Sequence, residues 1–332
     1  MTRHRPPHTN MKTRIMVSHR RLIVGLLFAV VFQLRAQHYP AGSEGIKCGS
    51  LPATGFYFED QNSFYFANQM KGYGGALNHD YSYFSYTQAP RLTWMTGWKI
   101  FGAEYGVSVQ VPFVYQQTTA IFPHYPWQPN VSTTKRQSGL SDIEVDPVKL
   151  GWRFGRVDVS AGYSFYAPSG DYDKNQLFLF NLGQGYWTHS FSLGGTLYFD
   201  SEKTWAASIL NHYDINTEQY DSTYWNGNSL VTHGTTLGDI YTLEWAVSKT
   251  ILKGVDVGLT GFYQQQITDT EGPAPNGPTW KNEKIHVAGI GPEIKGTYAK
   301  WGLSGSLRYA YEFSAMDHPQ GNLITLTITK SF

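Results

Sequence analysis

From residue 55 onwards the chain is a succession of segments in which apolar and polar positions alternate. Because successive side chains of a β-strand point to opposite faces of a sheet, this period of two predicts strands with one apolar and one polar face. Breaks rich in Gly, Pro, Asn and Asp separate the segments. The pattern predicts twelve strands, at residues 55–69, 80–98, 104–117, 139–153, 156–168, 185–199, 203–217, 238–251, 254–270, 282–296, 300–313 and 319–332.

The two faces are clearest towards the end of the chain. In GNLITLTITKSF, the last twelve residues, Ile324, Leu326 and Ile328 alternate with Thr325 and Thr327. In WGLSGSLRYAYEF, aliphatic and aromatic residues occupy one side of the strand, and Ser, Arg and Glu occupy the other. Aliphatic residues lie mid-strand and aromatic residues lie near strand ends, as on the lipid-facing surface of membrane barrels.

The breaks between strands alternate between short and long. Short breaks lie at 99–106, 154–156, 200–204, 252–255 and 297–302, and long ones at 118–138, 169–184, 218–237 and 271–282. This alternation places the long loops at one end of the fold. Outer-membrane barrels have short turns at the periplasmic end, long loops outside and, in single bacterial chains, an even number of strands. A β-sandwich has no reason to keep its long loops together, so the pattern predicts an all-β, antiparallel, up-and-down transmembrane barrel of about twelve strands.

Composition agrees with a sheet that is apolar on one face only. Charged residues make up 15% of the chain and aromatic residues 16%, yet the mean hydropathy is −0.35. A membrane barrel and a secreted sandwich both fit these values. The formal net charge of +1 gives no electrostatic reason to expect a nucleic-acid partner. The C-terminal Phe332 resembles the signal recognised by outer-membrane assembly machinery, although Lys330 departs from it, and this ending favours the barrel.

The N-terminus has the layout of a secretory signal peptide. Residues 1–21 are basic, residues 22–34 are apolar, and the small residue Ala36 follows. A helix of that apolar length spans about 20 Å, short of the bilayer core of about 30 Å. We therefore predict a signal peptide over 1–36, cleavage after Ala36, export, and a barrel over 55–332. Residues 37–54 lack a period and are predicted to form an irregular leader or a plug in the lumen, with Glu44, Lys47 and Cys48 as candidate plug residues. Because Cys48 is the one cysteine of the chain, it is expected to be a free thiol.

Several stretches resemble one protein family. They are HYPAGSEGIKCGSLPATGFYF, QAPRLTWMTGWKIFGAEYGVSVQVPFVY, KTWAASILNHYDINTEQ, YTLEWAVSKTILKGVDVGLTGFYQQQITD and SLRYAYEFSAMDHPQGNLITLTITKSF. The sequence is similar to the family of the MetA pathway of phenol degradation, also called SphA-like transporters, over about 38–332. The resemblance implies an outer-membrane channel associated with the breakdown of aromatic compounds, without an enzymatic step. It supplies no functional residues.

A barrel of twelve strands is wide enough to leave a lumen. Charged side chains on the polar strand faces would line that lumen and tune its selectivity. An equally good interpretation is that these charges pair across strands and only brace the wall. Arg308 and Glu312 are four residues apart on one face, so each needs a partner on a neighbouring strand. The lumen candidates are Arg308, Glu312, Glu244, Asp256, Asp142, Glu144 and Asp146.

The function predicted from these features is passive uptake of small hydrophobic or aromatic compounds across the bacterial outer membrane. The expected partners are the lipid bilayer, such solutes, and the assembly machinery acting on Phe332; no cofactor, metal or catalytic residue is expected. One alternative is a structural or adhesive barrel without an open pore, whose aromatic loops bind a surface partner. A less favoured alternative is a hydrolase, for which THS at Thr188–Ser190 and His212 offer the best nucleophile and base.

Overall fold

The computed structural model describes residues 37–72, 77–78, 81–122, 131–176, 180–217, 220–225, 230–272 and 284–332. The predicted signal peptide, residues 1–36, lies outside this part of the chain. In the described residues we find no helix that is long and apolar enough to cross a membrane.

Strands account for most of the described chain. A single turn of 3-10 helix, Ala299–Trp301, joins two of them. The strands are β1 (Gly55–Lys71), β2 (Leu77–Asn78), β3 (Tyr81–Ile100), β4 (Ala103–Gln110), β5 (Phe113–Phe122), β6 (Val131–Leu140), β7 (Ile143–Phe154), β8 (Val157–Ala167), β9 (Thr188–Tyr198), β10 (Trp205–Asn216), β11 (Tyr220–Trp225), β12 (Leu230–Thr235), β13 (Ile240–Leu252), β14 (Val255–Gln266), β15 (His286–Tyr298), β16 (Leu303–Met316) and β17 (His318–Ser331).

Antiparallel pairing closes the sheet into a barrel. Neighbours follow the order β1, β17, β16, β15, β14, β13, β10, β9, β8, β7, β4 and β3, and β3 pairs with β1 again. The first and last strands pair along their whole length, from Tyr57 opposite Ser331 to Lys71 opposite His318. This ring of twelve strands confirms the predicted antiparallel transmembrane barrel. Closure leaves no edge strand in the ring, as a bilayer requires.

Two barrel strands are interrupted halfway, which corrects the predicted continuous strands at 104–117 and 139–153. β4 continues as β5 after Val111 and Pro112, and β6 leads into β7 after Ser141 and Asp142. Pro112 has no N–H to donate to a ladder. The Asp142 carboxylate accepts hydrogen bonds from the backbone N–H groups of Gly170, at 2.9 Å, and Gln184, at 2.6 Å, in the connection between β8 and β9.

The connections at one end of the barrel are short and most of those at the other end are long. We call these the short-turn end and the long-loop end. Part of the predicted loop 118–138 belongs to the hairpin of β5 and β6, and part of 218–237 forms the separate hairpin of β11 and β12. One connection at the long-loop end is short, because Asp317 alone joins β16 to β17, with a φ of 46°.

The barrel is apolar outside and polar inside. In β17, Ile324, Leu326 and Ile328 are exposed, whereas Thr325 between them is 1% exposed. An exposed apolar band is what a barrel presents to lipid. The same alternation holds in and next to β9 and β16. The exposed members are Trp187, Phe191, Leu193, Leu197, Phe199, Trp301, Leu303, Leu307, Tyr309, Tyr311 and Phe313.

Candidate functional site

Residues 37–54, here called the N-terminal segment, lie inside the barrel. The segment forms no ladder with any described strand. Its own backbone hydrogen bonds are turns, such as Cys48 N–H to the Gly45 oxygen at 3.0 Å and Ser50 N–H to the Lys47 oxygen at 3.0 Å. Its contacts with the wall are made mainly by side chains of strands on several sides of the barrel.

Glu244, on β13, holds the middle of the N-terminal segment. Its Oε1 accepts hydrogen bonds from the backbone N–H groups of Gly42, at 2.9 Å, and Ser43, at 3.0 Å, and from the Tyr39 hydroxyl, at 3.1 Å. Its Oε2 accepts from the backbone N–H of Glu44 at 2.8 Å. The side chain is 1% exposed. Because four donors of the segment meet this one side chain of the wall, Glu244 is well suited to anchor the segment.

A buried ion pair holds the next turn of the segment. Arg308 Nη1 lies 3.5 Å from Glu293 Oε2, and Arg308 Nη2 donates to the Ser43 oxygen at 2.6 Å. Glu293 Oε2 also accepts from the Ile46 backbone N–H at 2.8 Å. Gly45 passes so close that a Cβ there would lie 2.0 Å from Glu293 Oε2. A side chain at this point would force the segment or the ion pair to shift.

The rest of the segment runs towards the short-turn end. Lys47 Nζ lies 2.9 Å from Asp256 Oδ2, and the Cys48 thiol lies 3.5 Å from the Ser208 hydroxyl. A Cβ on Gly49 would lie 2.3 Å from the backbone oxygen of Gly195 on β9, so the segment touches the wall backbone there. These contacts place Glu44, Lys47 and Cys48 against the interior of the barrel.

Arg91, on β3, gathers the carboxylates on the opposite side. Its guanidinium lies 3.3 Å from Glu44, 3.9 Å from Glu59 and 3.4 Å from Glu144. Glu144 also accepts from the Tyr166 hydroxyl at 3.0 Å. The sequence analysis missed Arg91, although its alternation with Leu92 in QAPRLTW was a usable signal, because an apolar neighbour on the outer face places the arginine inside.

Asp146, two residues beyond Glu144, forms an ion pair with a lysine of the same strand. Lys149 Nζ lies 3.2 Å from Asp146 Oδ1. The Ser108 hydroxyl on β4 donates to Asp146 Oδ2. Of the residues predicted to line the lumen, Asp146 is therefore paired along its own strand, whereas Glu244, Asp256 and Arg308 contact the N-terminal segment directly.

His38 fixes the outermost part of the segment. Its imidazole lies 2.7 Å from the Thr188 hydroxyl through Nδ1 and 2.8 Å from Asp142 Oδ2 through Nε2. The ring stacks on Tyr166, with centroids 5.0 Å apart, and meets Tyr186 edge-on at 4.9 Å. Asp142 therefore joins the segment to the interrupted strand and to the β8–β9 connection.

A cavity of about 320 Å³ lies between the N-terminal segment and the long-loop end. Its wall is built from strands at both ends of the chain and from the β8–β9 connection. Glu312 lines it and has no hydrogen bond or ion pair with the N-terminal segment in the described residues. The polar lining includes Gln61, Tyr65, Tyr83, Gln116, Asp142, Glu144 and Glu312. The volume is at the lower end of the range of about 300–1,000 Å³ found for small-molecule sites.

The residues considered for a hydrolase are only partly brought together. Ser190 Oγ lies 3.4 Å from His212 Nδ1. His189, which precedes Ser190 in the chain, contacts the Tyr163 hydroxyl. The His212 ring stacks on Tyr39 at 3.9 Å, and its Nε2 is buried without a hydrogen-bond partner in the described structure. A nucleophile–base pair needs a third group that orients the base, and none is bound to His212 in this part of the chain.

Solved structures support the barrel. A crystal structure of an outer membrane channel from Pseudomonas putida F1 matches with a TM-score of 0.66 and 10% identity, over 87% of this chain and 99% of that one. The KdgM porin matches with a TM-score of 0.42 and 8% identity, over 83% and 99%. The TodX mutant monoaromatic hydrocarbon channel matches with a TM-score of 0.42 and 9% identity, over 84% and 91%. At these identities and TM-scores, only the first of the three matches shows a shared fold.

Sequence comparison gives a more specific result. The model of the family described as "Putative MetA-pathway of phenol degradation" matches residues 67–328, most of the chain. No curated protein matches.

Proposed function

Because the chain belongs to the family of the MetA pathway of phenol degradation, we propose that it is a passive outer-membrane channel for small hydrophobic or aromatic compounds. The family name connects the chain with the breakdown of an aromatic compound, and such a compound must first cross the outer membrane. A closed barrel with an apolar exterior and a polar interior offers the route.

The observation that carries this proposal is the cavity above the N-terminal segment. About 320 Å³ is room for a compound of one ring, and tyrosine and glutamine side chains line it. Short turns of bacterial barrels face the periplasm and long loops face outwards. In that orientation the cavity lies on the outer side, and the N-terminal segment lies between it and the periplasm.

Passage of a solute then requires the N-terminal segment to move. The segment pairs with none of the strands that the structure describes, so it can leave the lumen without breaking their backbone hydrogen bonds. It is held by side chains, above all Glu244, Arg308 and Asp256. In this role Glu44, Lys47 and Cys48 are part of a removable plug, and the charged wall residues are its docking site.

Planar-bilayer recording tests the proposal. Refolded protein, with and without deletion of residues 39–54, is inserted into bilayers after heat-modifiable gel mobility has shown that both barrels are folded. We expect discrete conductance steps that are larger for the deletion variant. Liposomes containing the same proteins should then admit small aromatic compounds faster with the deletion variant than with the full barrel.

A structural barrel without an open pore is the competing function, since buried ion pairs such as Arg308–Glu293 brace the lumen in either case. It predicts no conductance from folded protein in either form. That result would overturn the channel proposal.

A further inference from the structure

Glu312, on β16, faces the lumen, and only one of its two carboxylate oxygens accepts hydrogen bonds from the described residues. Its Oε2 accepts hydrogen bonds from the Tyr65 hydroxyl, at 2.6 Å, and the Gly321 backbone N–H, at 2.8 Å. Its Oε1 accepts no hydrogen bond from the described residues, although the residue is 4% exposed and lines the cavity. In this position, Glu312 Oε1 can contact a ligand bound in the cavity.

No cation of the protein neutralises this carboxylate in the described part of the chain. The ion pairs there use Arg308 for Glu293, Lys47 for Asp256 and Lys149 for Asp146, and none involves Glu312. Burying a carboxylate without a countercharge is costly, so a positively charged ligand would gain from binding at this point.

Two tyrosine rings lie on the same side of the cavity as Glu312. The rings of Tyr65, on β1, and Tyr83, on β3, have centroids 5.9 Å apart with an angle of 57° between their planes, and both line the cavity. The Tyr83 hydroxyl donates to Gln116 at 3.1 Å, which fixes its ring. Aromatic faces attract ammonium groups, most strongly where water is excluded.

Among the described residues, the rest of the cavity wall has no unpaired guanidinium or ammonium group for an anion. Its guanidinium, Arg91, is already surrounded by Glu44, Glu59 and Glu144. Asp142 adds a further carboxylate to the wall. A solute carrying a carboxylate would therefore meet like charges without a free countercharge, and juxtaposed like charges are unfavourable.

We propose that Glu312, Tyr65 and Tyr83 form a binding site for organic cations, in which an ammonium group on a small aromatic or aliphatic body contacts Glu312 Oε1 and the tyrosine rings. This rests on the proposed function, which it deepens by naming the charge of the solute that the outer cavity selects. Glu312 is then a specificity-determining residue.

Three probes with the same ring and different charge test the site: benzylammonium, benzyl alcohol and benzoate. Binding to the detergent-solubilised, full-length mature protein is measured by titration calorimetry. We expect the cation to bind about tenfold or more tightly than benzyl alcohol, since an uncompensated buried carboxylate contributes at least that factor, and benzoate to show no binding. Equal binding of the three probes, or tighter binding of benzoate, would overturn the proposal.

Two variants assign the binding to these residues. Glu312→Gln keeps an oxygen that can accept from Tyr65 and Gly321 but removes the charge, so cation binding should fall about tenfold while benzyl alcohol binding is unchanged. Tyr83→Leu should weaken cation binding severalfold through loss of a ring, and it decides the matter if Glu312→Gln fails to fold. Glu202→Gln, in an exposed turn, removes a charge far from the cavity and should leave binding as it was. Unchanged cation affinity in folded Glu312→Gln would refute the site.

The same proteins in planar bilayers separate this site from the channel proposal. If the barrel conducts but calorimetry finds no preference for the cation, the site is wrong and the channel stands. If the cation binds through Glu312 but no variant conducts, the site stands and the channel is wrong.

Discussion

Glu244 Oε1 and the backbone N–H of Ser43 are 3.0 Å apart, although the two residues are separated by 201 positions in the chain. The same carboxylate accepts from the neighbouring N–H groups of Gly42 and Glu44. One wall side chain thus accepts hydrogen bonds from three consecutive N–H groups of the N-terminal segment. Changes at this contact are therefore expected to alter how firmly the segment is held in the lumen.

Replacing Glu244 by Ala should open the lumen. The change leaves the N–H groups of Gly42, Ser43 and Glu44 without their acceptor, and each hydrogen bond contributes about 0.5–1.5 kcal/mol net. Loss of about 3 kcal/mol would raise the undocked fraction of the segment about a hundredfold. Single-channel recording should therefore show longer or larger open states. Glu202→Ala, in an exposed turn, is the matched control, and equal conductance of the two variants would contradict the anchoring role.

Gly45→Ala should disturb the same segment by a different route. The new Cβ would lie 2.0 Å from Glu293 Oε2 and 2.2 Å from Arg308 Nη1, so either the segment or the ion pair must shift. Forced overpacking of this kind costs about 1–3 kcal/mol. The variant should show higher conductance with normal heat-modifiable mobility. Gly296→Ala on β15, where a Cβ meets nothing within 4 Å, should behave as wild type.

A disulfide should lock the segment to the wall. Cys48 Sγ lies 3.5 Å from Ser208 Oγ, close enough for a Ser208→Cys variant to reach the S–S distance of about 2.05 Å by side-chain rotation. Oxidised Ser208→Cys protein should stay closed in bilayers, and a reductant should restore wild-type conductance. The double variant Cys48→Ser, Ser208→Cys cannot form the bond. If it responds to the redox change as well, the locking interpretation fails.

Phe332→Ala should impair assembly in cells more than folding in vitro. The Phe332 side chain is 74% exposed, and its ring centroid lies 6.0 Å from that of Phe56. Exposed substitutions usually change stability by within about 0.5 kcal/mol, so a loss of folded barrel in cells would reflect recognition by the assembly machinery. The measurement compares heat-modifiable protein in outer membranes with refolding in detergent micelles. Phe199→Ala, another exposed aromatic residue, should assemble normally.

Mass spectrometry of protein from outer membranes should find a mature chain that begins at Gln37. Signal peptidases require a small residue at the cleavage site, and Ala36 meets this requirement. Ala36→Trp should accumulate precursor. A mature chain beginning within residues 39–54 would contradict the prediction and would also remove part of the segment that fills the lumen.

The class of fold and the faces of its strands could be predicted from the amino-acid sequence. Alternation such as Ile324, Thr325 and Leu326 is a local property, because neighbouring side chains of any strand point in opposite directions. The alternation of short and long breaks likewise revealed an even-stranded barrel with long loops at one end. These patterns also placed Arg308, Glu244 and Glu312 on the polar face.

Which inward-facing residues meet could not be predicted, because it depends on the folded barrel. A period of two gives the face of each residue but not its height in the barrel, which depends on the register between strands and on closure of the ring. The partners of Glu244, the role of Arg91, and the free oxygen of Glu312 beside Tyr65 all follow from that register. The interruptions at Pro112 and Asp142 also escaped the pattern, because Asp142 is bound by Gly170 and Gln184, which only folding brings close.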